Sequence, residues 1–518
     1  MKAFLLYPDR DLEPAKNPWP AGEAALEQDL ELPVLWNAMA GGDPLLYEVA
    51  RKVMFAGLSN DPQTILYRQA VLQDCLENPE ELRRLYTLTL EALEVEKKSP
   101  RWYFSRSPGS ILIYAIEVLQ LYMALLRKLR QLADEVAGRF KSDGFRRLFR
   151  ALQEELSEAY FQTVQDHLKR LRFRQGVLVS AGLGKGLKGL DYVLCRPNPD
   201  RRGWLERILG KKPPSFTFQI HPRDESGAQA LSELQDRGIN AAANALAQAA
   251  DHVQSFFALL QSELAFYLGC LNLHQELSRL GEPTCFPQVS STVDFSFRQL
   301  YDLSLALRAG TKVVGNDLEA LDKQLVVVTG ANQGGKTTFL RSIGQAQLMM
   351  QAGMFVGAEA FRANLCQSLF THFKREEDAT LKSGKFDEEL SRMSQIVAHL
   401  TPQALILFNE SFAATNEREG AEVARQILQA LLEQGLKVFF VTHMYALAGG
   451  LYGHSPANAL FLRAQRLEDG RRSFKILPGA PLPSSSGTDL YQAIFKARNA
   501  VEQHPAARAG PGVPGSIN

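Results

Sequence analysis

The sequence has little of what marks secreted, metal-binding or strongly charged proteins. Its 518 residues include only 5 cysteines, and no two of these are close enough to form a Cys-x-x-Cys site. An odd number of irregularly spaced cysteines predicts reduced thiols in a cytoplasmic protein and argues against structural zinc. The net charge is only +1, so the whole molecule has no strong field, although a local basic patch can still bind nucleic acid.

Long apolar runs are also missing. The most apolar helix candidate, residues 111–126, is interrupted by Glu117, whereas a membrane-spanning helix needs about 20 predominantly apolar residues. The apolar start of the chain, residues 1–7, lacks the length of a signal peptide. We therefore expect a soluble globular protein with no membrane partner, and a chain of this length predicts roughly two to four domains.

Changes in hydrophobic periodicity divide the chain. Residues 1–44 contain several prolines and predict an irregular lead-in with a helix or two, whereas residues 45–287 follow a helical repeat. Within the helical region, residues 176–222 combine glycines with alternating apolar residues, as at 216–220, and predict a small β-rich insertion. The Gly-Lys-Gly run that begins at Gly184 is interpreted as a hairpin turn, because it lacks the spacing of a phosphate-binding loop.

From residue 288 the sequence alternates β-branched apolar runs with helical segments, which is typical of an α/β fold with a parallel sheet. This domain is predicted to extend to residue 490. The remaining residues, 491–518, form a tail that becomes rich in Pro and Gly and is predicted to be disordered at its end.

The strongest chemical signal follows the apolar run 325–328. The next residues match G-x-x-x-x-G-K-[ST] and precede a helical pattern, which is the strand–loop–helix context of a P-loop. Its glycines let main-chain N–H groups approach phosphate, Lys336 would reach the β- and γ-phosphates of ATP, and Thr337 would hold Mg²⁺. The predicted nucleotide-binding residues of this loop are Gly330, Ala331, Asn332, Gln333, Gly334, Gly335, Lys336, Thr337 and Thr338.

Two further apolar runs end in polar residues. Residues 404–408 precede Asn409 and Glu410, and residues 438–441 lead to His443. Glu410 is the predicted catalytic residue that orients or deprotonates the attacking water, and His443 the predicted sensor of the γ-phosphate. The alternatives are an ordinary strand-end carboxylate and a structural histidine. Asn409 stands where a Walker B strand usually has Asp, so it offers Mg²⁺ an oxygen without charge.

Taken together, these motifs resemble the ATPase of the MutS family. Residues 329–338 are similar to its T-G-P-N-x-G-G-K-S-T loop, and residues 442–443 to its T-H switch. Asn316 and its neighbours resemble the family's P-N-D element, which implies that Asn316 lies near the adenine. Residues 383–390 resemble the segment that the family shares with ABC ATPases, which implies that Ser383 reaches the γ-phosphate bound by a partner subunit.

The resemblance implies both a fold and a mode of action. The fold class would be multidomain: an α-helical core or lever with a small β-rich insertion, followed by an α/β P-loop ATPase domain of the ABC-like type. ATP and Mg²⁺ would be the cofactors, and two copies of the chain would form a homodimer with ATP at the interface. Residues 61–79 are similar to the start of the family's helical core.

The sequence also departs from the mismatch-reading members of the family. These carry N-terminal domains with a Phe-x-Glu motif that wedges into DNA, whereas the core-like region here begins near residue 45. The two Phe-x-Glu triplets, at 386–388 and 408–410, both lie inside the predicted ATPase, and no nuclease-like domain follows it. We therefore expect a truncated or divergent MutS-related protein that lacks the mismatch-recognition domains.

Residues 141–212 are basic, with 16 Lys/Arg against 8 Asp/Glu. By resemblance this region would be the distal lever and clamp, which grips DNA phosphates without reading sequence and binds in a salt-dependent way. The alternative is that these residues form solvated helix faces. Phe145, Phe149 and Phe173 could stack on bases, although core packing is the favoured interpretation for each.

Two functional hypotheses follow. The first is a slow ATPase that binds DNA non-sequence-specifically as an ATP-gated dimer, in DNA repair or recombination. The second is a nucleotide-gated binding scaffold with little ATPase activity that acts on protein, RNA or the ribosome. Asn409 and the missing mismatch domain favour the second hypothesis.

Overall fold

The computed structural model describes most of the chain, and every structural statement below refers to the residues that it describes. Most of the alternating run at 216–220 and the predicted disordered tail, residues 491–518, lie outside them. The described residues are 1–12, 19–98, 107–173, 176–196, 219–331, 333–375, 384–454, 457–467 and 472–482.

Two compact units make up the fold, and each is built from several pieces of the chain. The first unit comprises Met1–Lys16, Asp43–Ala50 and Leu66–Leu271. The second unit comprises Asn17–Gly42, Arg51–Ile65 and Asn272–Asn518.

Helices dominate the first half of the chain, as its periodicity predicts. Ser107, Ser142 and Ser157 each accept a hydrogen bond from a main-chain N–H in the helical turn that follows, which satisfies one of the free donors at a helix start. In chain order these helices are α1 (Glu23–Asp29), α2 (Leu32–Ala40), α3 (Pro44–Ala56), α4 (Pro62–Glu77), α5 (Pro79–Lys98), α6 (Pro108–Val136), α7 (Asp143–Glu155) and α8 (Glu158–Leu171).

An antiparallel hairpin lies within the predicted β-rich insertion. It pairs β1 (Val179–Leu183) with β2 (Gly189–Leu194). Gly184 N donates a hydrogen bond of 2.8 Å to Lys188 O across the connection, so the prediction of a hairpin turn at this point is confirmed. The long helix α9 (Glu225–Arg279) follows.

Aromatic side chains fill part of the core of the first unit. The rings of Phe140, Phe145 and Phe149 contact one another, with centroids between 4.3 and 5.6 Å apart. Phe145 and Phe149 are fully buried, which confirms core packing for these two rings. Phe173 is only partly buried.

Two helices in the described part of the chain are long and apolar enough to cross a membrane, judged by length and composition alone: Pro108–Arg139 and Glu225–Arg279. The first of them, α6, runs through Glu117 and meets these criteria although that residue interrupts its apolar run. In the most apolar stretch of each helix, 44% and 78% of the residues are buried inside the protein. Because core helices of soluble proteins meet the same criteria, these two are a weak indication of a membrane protein.

Strands and helices alternate in the second unit, as predicted from residue 288 onward. Its elements after α9 are β3 (Gln288–Ser290), β4 (Phe295–Leu300), α10 (Leu303–Ala309), β5 (Asn316–Glu319), β6 (Leu325–Thr329), α11 (Lys336–Gln351), β7 (Ala360–Asn364), β8 (Leu369–Phe373), α12 (Lys385–Ala398), β9 (Leu405–Asn409), α13 (Glu417–Glu433), β10 (Lys437–Val441), α14 (Tyr445–His454), β11 (Ala459–Arg466) and β12 (Arg472–Pro478).

A six-stranded sheet with the order β12-β11-β6-β10-β9-β8 forms the centre of this unit. Five of its strands are parallel, and β12 pairs antiparallel at one edge. The three strands predicted around residues 325, 404 and 438 are confirmed as β6, β9 and β10. Because β10 lies between the other two, the loops that leave the carboxyl ends of these strands meet at one edge of the sheet. A second sheet has the order β3-β7-β4-β5.

Two early segments, Asn17–Gly42 and Arg51–Ile65, belong to the unit that contains this sheet. Buried hydrogen bonds attach both segments to α11. Gln345 on α11 donates a hydrogen bond of 3.0 Å to Leu30 O, and Asn60 donates one of 2.8 Å to Gln351 O. The predicted lead-in therefore contains helices that pack beside α11.

Candidate nucleotide-binding site

The loop between β6 and α11 wraps tightly because two glycines adopt left-handed conformations. Gly330 has a φ of 116° and Gly335 a φ of 88°, which is backbone that residues with a Cβ rarely adopt. A Cβ at Gly330 would also lie 2.9 Å from the main-chain nitrogen of Ala464. Gln333 shares the left-handed conformation, with a φ of 59°. Asn332 lies outside the described residues.

Lys336 begins α11 and turns back over the loop. Its amine donates hydrogen bonds to Gly330 O at 2.8 Å and Ala331 O at 3.1 Å, and lies 3.8 Å from Glu410 Oε1. Burial lowers the pKa of Lys336, and the carboxylate of Glu410 opposes that change. The amine is therefore held among oxygen acceptors of the loop and of the residue that follows β9.

Thr337 and Asn409 meet across the edge of the sheet. The Thr337 hydroxyl donates a hydrogen bond of 3.2 Å to Asn409 Oδ1. The described residues contain no group of three or more His, Cys, Asp or Glu side chains that could hold a metal ion. Mg²⁺ commonly takes few protein ligands beside phosphates and waters. This pair of oxygens fits such a shared site, although neither oxygen carries charge.

Glu410 stands in a strained position directly after β9. Its φ is 54°, and its N–H donates a hydrogen bond of 2.9 Å to Val441 O on β10. His443 Nδ1 lies 3.7 Å from Glu410 Oε2, slightly beyond hydrogen-bond distance. His443, and after it Lys336, hold the pKa of Glu410 below its ordinary value despite partial burial. Glu410 is therefore ionised at neutral pH, as a base requires.

A cavity of about 490 Å³ is lined by residues of the loop and by apolar side chains. From the loop, α11 and the end of β9 come Gln333, Gly334, Gly335, Lys336, Thr337, Thr338 and Glu410. The apolar lining consists of Leu305, Val313, Val314 and Phe474. Phe474 is not predictable from the sequence, because an aromatic residue in an exposed edge strand carries no distinctive pattern.

Asn316 also lines the cavity, but its side chain is engaged with β12. Its Oδ1 accepts a hydrogen bond of 2.7 Å from Ile476 N, and its Nδ2 donates one of 3.4 Å to Phe474 O. The structure thus brings Asn316 to the cavity as a link that holds β5 and β12 together. Ser383 lies outside the described residues, so its reach toward a partner subunit stays a prediction.

The predicted DNA-binding region, residues 141–212, is described only up to residue 196. Several of its cations have partners in the first unit. Lys141 forms an ion pair of 2.9 Å with Glu77, and Arg147 donates a hydrogen bond of 2.7 Å to Pro8 O. These two cations are therefore engaged by other residues of the first unit. DNA binding by the basic region stays a prediction.

Two family models match the chain in consecutive regions. The MutS2 N-terminal domain matches residues 60–280, and MutS domain V matches residues 326–487. The first match coincides with most of the helical region and the second with the P-loop, β9 and β10.

Known relatives are named either MutS2 or MutS. Endonuclease MutS2 of Lacticaseibacillus casei is 33% identical over 229 residues, which are 42% of this chain and 28% of the relative. DNA mismatch repair protein MutS of Leptospira interrogans is 31% identical over 183 residues, 32% of this chain and 22% of the relative. Endonuclease MutS2 of Thermus thermophilus is 29% identical over 188 residues, 36% of this chain and 25% of the relative.

The chain thus spans less than a third of the length of each of these relatives. The matches nevertheless follow one another along this sequence, and the second of them contains the P-loop and the strands that place Glu410 and His443. On these grounds the chain is related to the MutS family over residues 60–280 and 326–487.

Proposed function

We propose that this protein is a MutS-related ATPase that binds and hydrolyses ATP with Mg²⁺ in the cavity beside β6, β9 and β10. The observation that carries the proposal is the convergence of Lys336, Thr337, Glu410 and His443 at one edge of the sheet. The arrangement of the parallel strands agrees with the ABC-like type of P-loop domain.

Each side chain would act on a different part of the nucleotide. The loop N–H groups and the start of α11 favour phosphate, and Lys336 would exchange its carbonyl acceptors for phosphate oxygens. Glu410 would orient the attacking water and accept its proton, and His443 would contact the γ-phosphate. Thr337 and Asn409 would hold Mg²⁺, which neutralises phosphate charge when it is bound. The apolar lining with Phe474 would receive the base.

We expect hydrolysis to be slow. A Walker B Asp would bring one negative charge to the metal, and Asn409 brings none. Positioning and electrostatic stabilisation supply nearly all of the catalysis in phosphoryl transfer. A weaker hold on the metal should therefore lower the rate of hydrolysis more than the affinity for the adenine nucleotide.

We propose further that the protein binds DNA without sequence preference, as an ATP-gated homodimer in DNA repair or recombination. The names of its MutS relatives and the basic region 141–212 support DNA as the partner. The similarity of residues 383–390 to a segment that acts across a dimer supports the second copy.

One experiment tests this proposal directly. Purified protein is titrated with duplex, mismatched, branched and single-stranded DNA, with and without ATP, across a series of salt concentrations. Binding that weakens with salt and changes with ATP would support a DNA-acting ATPase. Absence of binding at low salt would refute the DNA part of the proposal.

A second candidate function is a nucleotide-gated scaffold that scarcely hydrolyses ATP and acts on protein, RNA or the ribosome. The neutral Asn409 favours it. Measurement of turnover discriminates the two functions: ATP binding without hydrolysis in the wild-type protein, together with no affinity for DNA, would favour the scaffold.

A further inference from the structure

A fully buried histidine lies directly behind the turn that carries Glu410. His372 belongs to β8, the strand beside β9, and it is completely inaccessible to solvent. The sequence analysis did not select it, because a histidine inside an apolar strand suggests only core packing. Its ring nitrogens nevertheless contact two other elements of the same unit.

The first contact fixes the residue that follows Glu410. His372 Nδ1 lies 2.7 Å from Ser411 Oγ, and the same hydroxyl lies 2.5 Å from His372 O. Ser411 is also fully buried. Ser411 Oγ therefore contacts both the ring and the main-chain oxygen of His372, which holds Ser411 against β8.

The second contact reaches helix α12. His372 Nε2 lies 3.0 Å from the main-chain oxygen of Glu389. Burial, and after it the neighbouring Arg392, lowers the pKa of His372 to about 4, so the ring is neutral at physiological pH. Because a carbonyl can only accept, the single N–H of the neutral ring is on Nε2 and donates to Glu389 O. The one proton of the Ser411 hydroxyl then goes to either Nδ1 or the main-chain oxygen of His372.

The turn that these contacts hold is strained. Glu410 has a φ of 54° and Phe412 a φ of 63°, a left-handed conformation that residues with a Cβ adopt only at a cost in free energy. The His372 ring stacks on Phe412, with centroids 5.2 Å apart and planes 18° apart. Such a conformation persists only where its surroundings determine it, so the contacts with His372 are part of what holds Glu410 in place.

We propose that His372 and Ser411 are positioning residues that couple the location of helix α12 to the location of the Glu410 carboxylate. A shift of α12 moves the Glu389 carbonyl, the carbonyl carries the imidazole with it, and the imidazole moves Ser411, which is adjacent to Glu410. Helix α12 begins at Lys385, within residues 383–390, the segment that resembles the family's cross-dimer element. This inference therefore rests on the proposed ATPase function and adds a connection between that segment and the attacking water.

Two substitutions at one position separate the two contacts. The side-chain amide of His372→Asn lies near the position of Nδ1 and keeps a partner for Ser411, but it does not reach α12. The amide of His372→Gln lies near the position of Nε2 and keeps the contact with Glu389. His399→Asn is the matched control, since this exposed histidine bonds only within its own turn, to Gln395 O.

We expect both His372 variants to lower kcat by about 10-fold to 100-fold, because small misplacements of catalytic groups cost this much. The Kd for ATP, measured with a fluorescent analogue, should stay within about 2-fold of the wild-type value. Ser411→Ala should lower kcat in the same way while it leaves the ring in place. A wild-type kcat in His372→Asn would overturn the proposed coupling, because the contact with α12 would then be dispensable.

Hydrogen exchange gives a readout that does not depend on ATP turnover. In His372→Gln, which loses the ring contact with Ser411, the amides of residues 411–416 should exchange at least about 10-fold faster than in the wild-type protein, while those of β10 are unchanged. Unchanged exchange at 411–416 would refute the positioning role. If the wild-type protein does not hydrolyse ATP, the proposed function fails, and this exchange measurement still decides whether His372 holds the turn.

Discussion

The Thr337 hydroxyl donates a hydrogen bond of 3.2 Å to the side-chain oxygen of Asn409. This contact joins the first turn of α11 to the carboxyl end of β9, which are 72 residues apart in the chain. A charged residue at the position of Asn409 would therefore act directly on a Mg²⁺ ion held by Thr337.

Replacement of Asn409 by Asp should accelerate hydrolysis. The carboxylate would add one negative charge beside Thr337, so we expect the Mg²⁺ concentration at half-maximal activity to fall several-fold and kcat to rise. The measurement is steady-state ATPase activity across a magnesium series. Asn458→Asp, a substitution of a partly buried amide that bonds Gln324, is the control. Identical magnesium curves for wild type and Asn409→Asp would argue against a metal ligand at this position.

Removal of the Glu410 carboxylate should stop the hydrolysis step without weakening the binding of ATP. General-base catalysis contributes about 10²-fold to 10⁴-fold, so Glu410→Ala should lower kcat by at least about 100-fold and leave the Kd for ATP nearly unchanged. Single-turnover hydrolysis and equilibrium binding separate these quantities. Glu433→Ala, at the exposed end of α13, is the control. If Glu410→Ala retains wild-type turnover, another group is the base.

Loss of the Phe474 ring should weaken binding of the base but not of the phosphates. Stacking of a base on an aromatic side chain contributes about 1–3 kcal/mol, so Phe474→Ala should raise the Kd for ATP by about 5-fold or more. Binding of inorganic tripolyphosphate should not change. Leu477→Ala, on the same strand, serves as control. Equal losses for ATP and tripolyphosphate would mean that Phe474 supports the loop and not the base.

The stability of the first unit should depend on the protonation of a buried carboxyl group. Glu263 on α9 accepts hydrogen bonds from Leu5 N at 2.6 Å and Leu12 N at 3.2 Å. Burial raises the pKa of Glu263 to about 7, against the effect of these N–H groups. The folded state therefore binds a proton that the unfolded state releases above its ordinary pKa of 4.5.

Because the pKa of Glu263 is higher in the folded state than in the unfolded state, protonation of this carboxyl stabilises the fold. This contribution is complete below pH 4.5 and is lost as the pH rises to 7. One pKa unit corresponds to about 1.4 kcal/mol, so the free energy of unfolding of the wild type, relative to Glu263→Gln, should fall by about 3 kcal/mol over this range. Urea unfolding at pH 5, 6, 7 and 8 measures the difference. Glu233→Gln, an exposed substitution on the same helix, should not change this trend. A difference between the wild type and Glu263→Gln that is the same at every pH would mean that the carboxyl is ionised throughout.

The sequence by itself determined those features that depend on neighbouring residues. The P-loop was predictable because its glycines, Lys336 and Thr337 lie within one turn of chain that tolerates few other residues. The strands that end at Asn409, Glu410 and His443 were predictable because buried parallel strands are continuous apolar runs. The starts of α4 and α6 follow from a proline and a capping residue.

Tertiary structure alone decided the features that depend on distant residues. Strand order sets β10 between β6 and β9, and so brings Glu410 beside both Lys336 and His443. The packing of β12 against β5 turns Phe474 into the cavity and engages the amide of Asn316. His372 gains its partners from β9 and α12, and no local pattern marks it, because a contact between strands and helices far apart in sequence leaves no periodic trace in either segment.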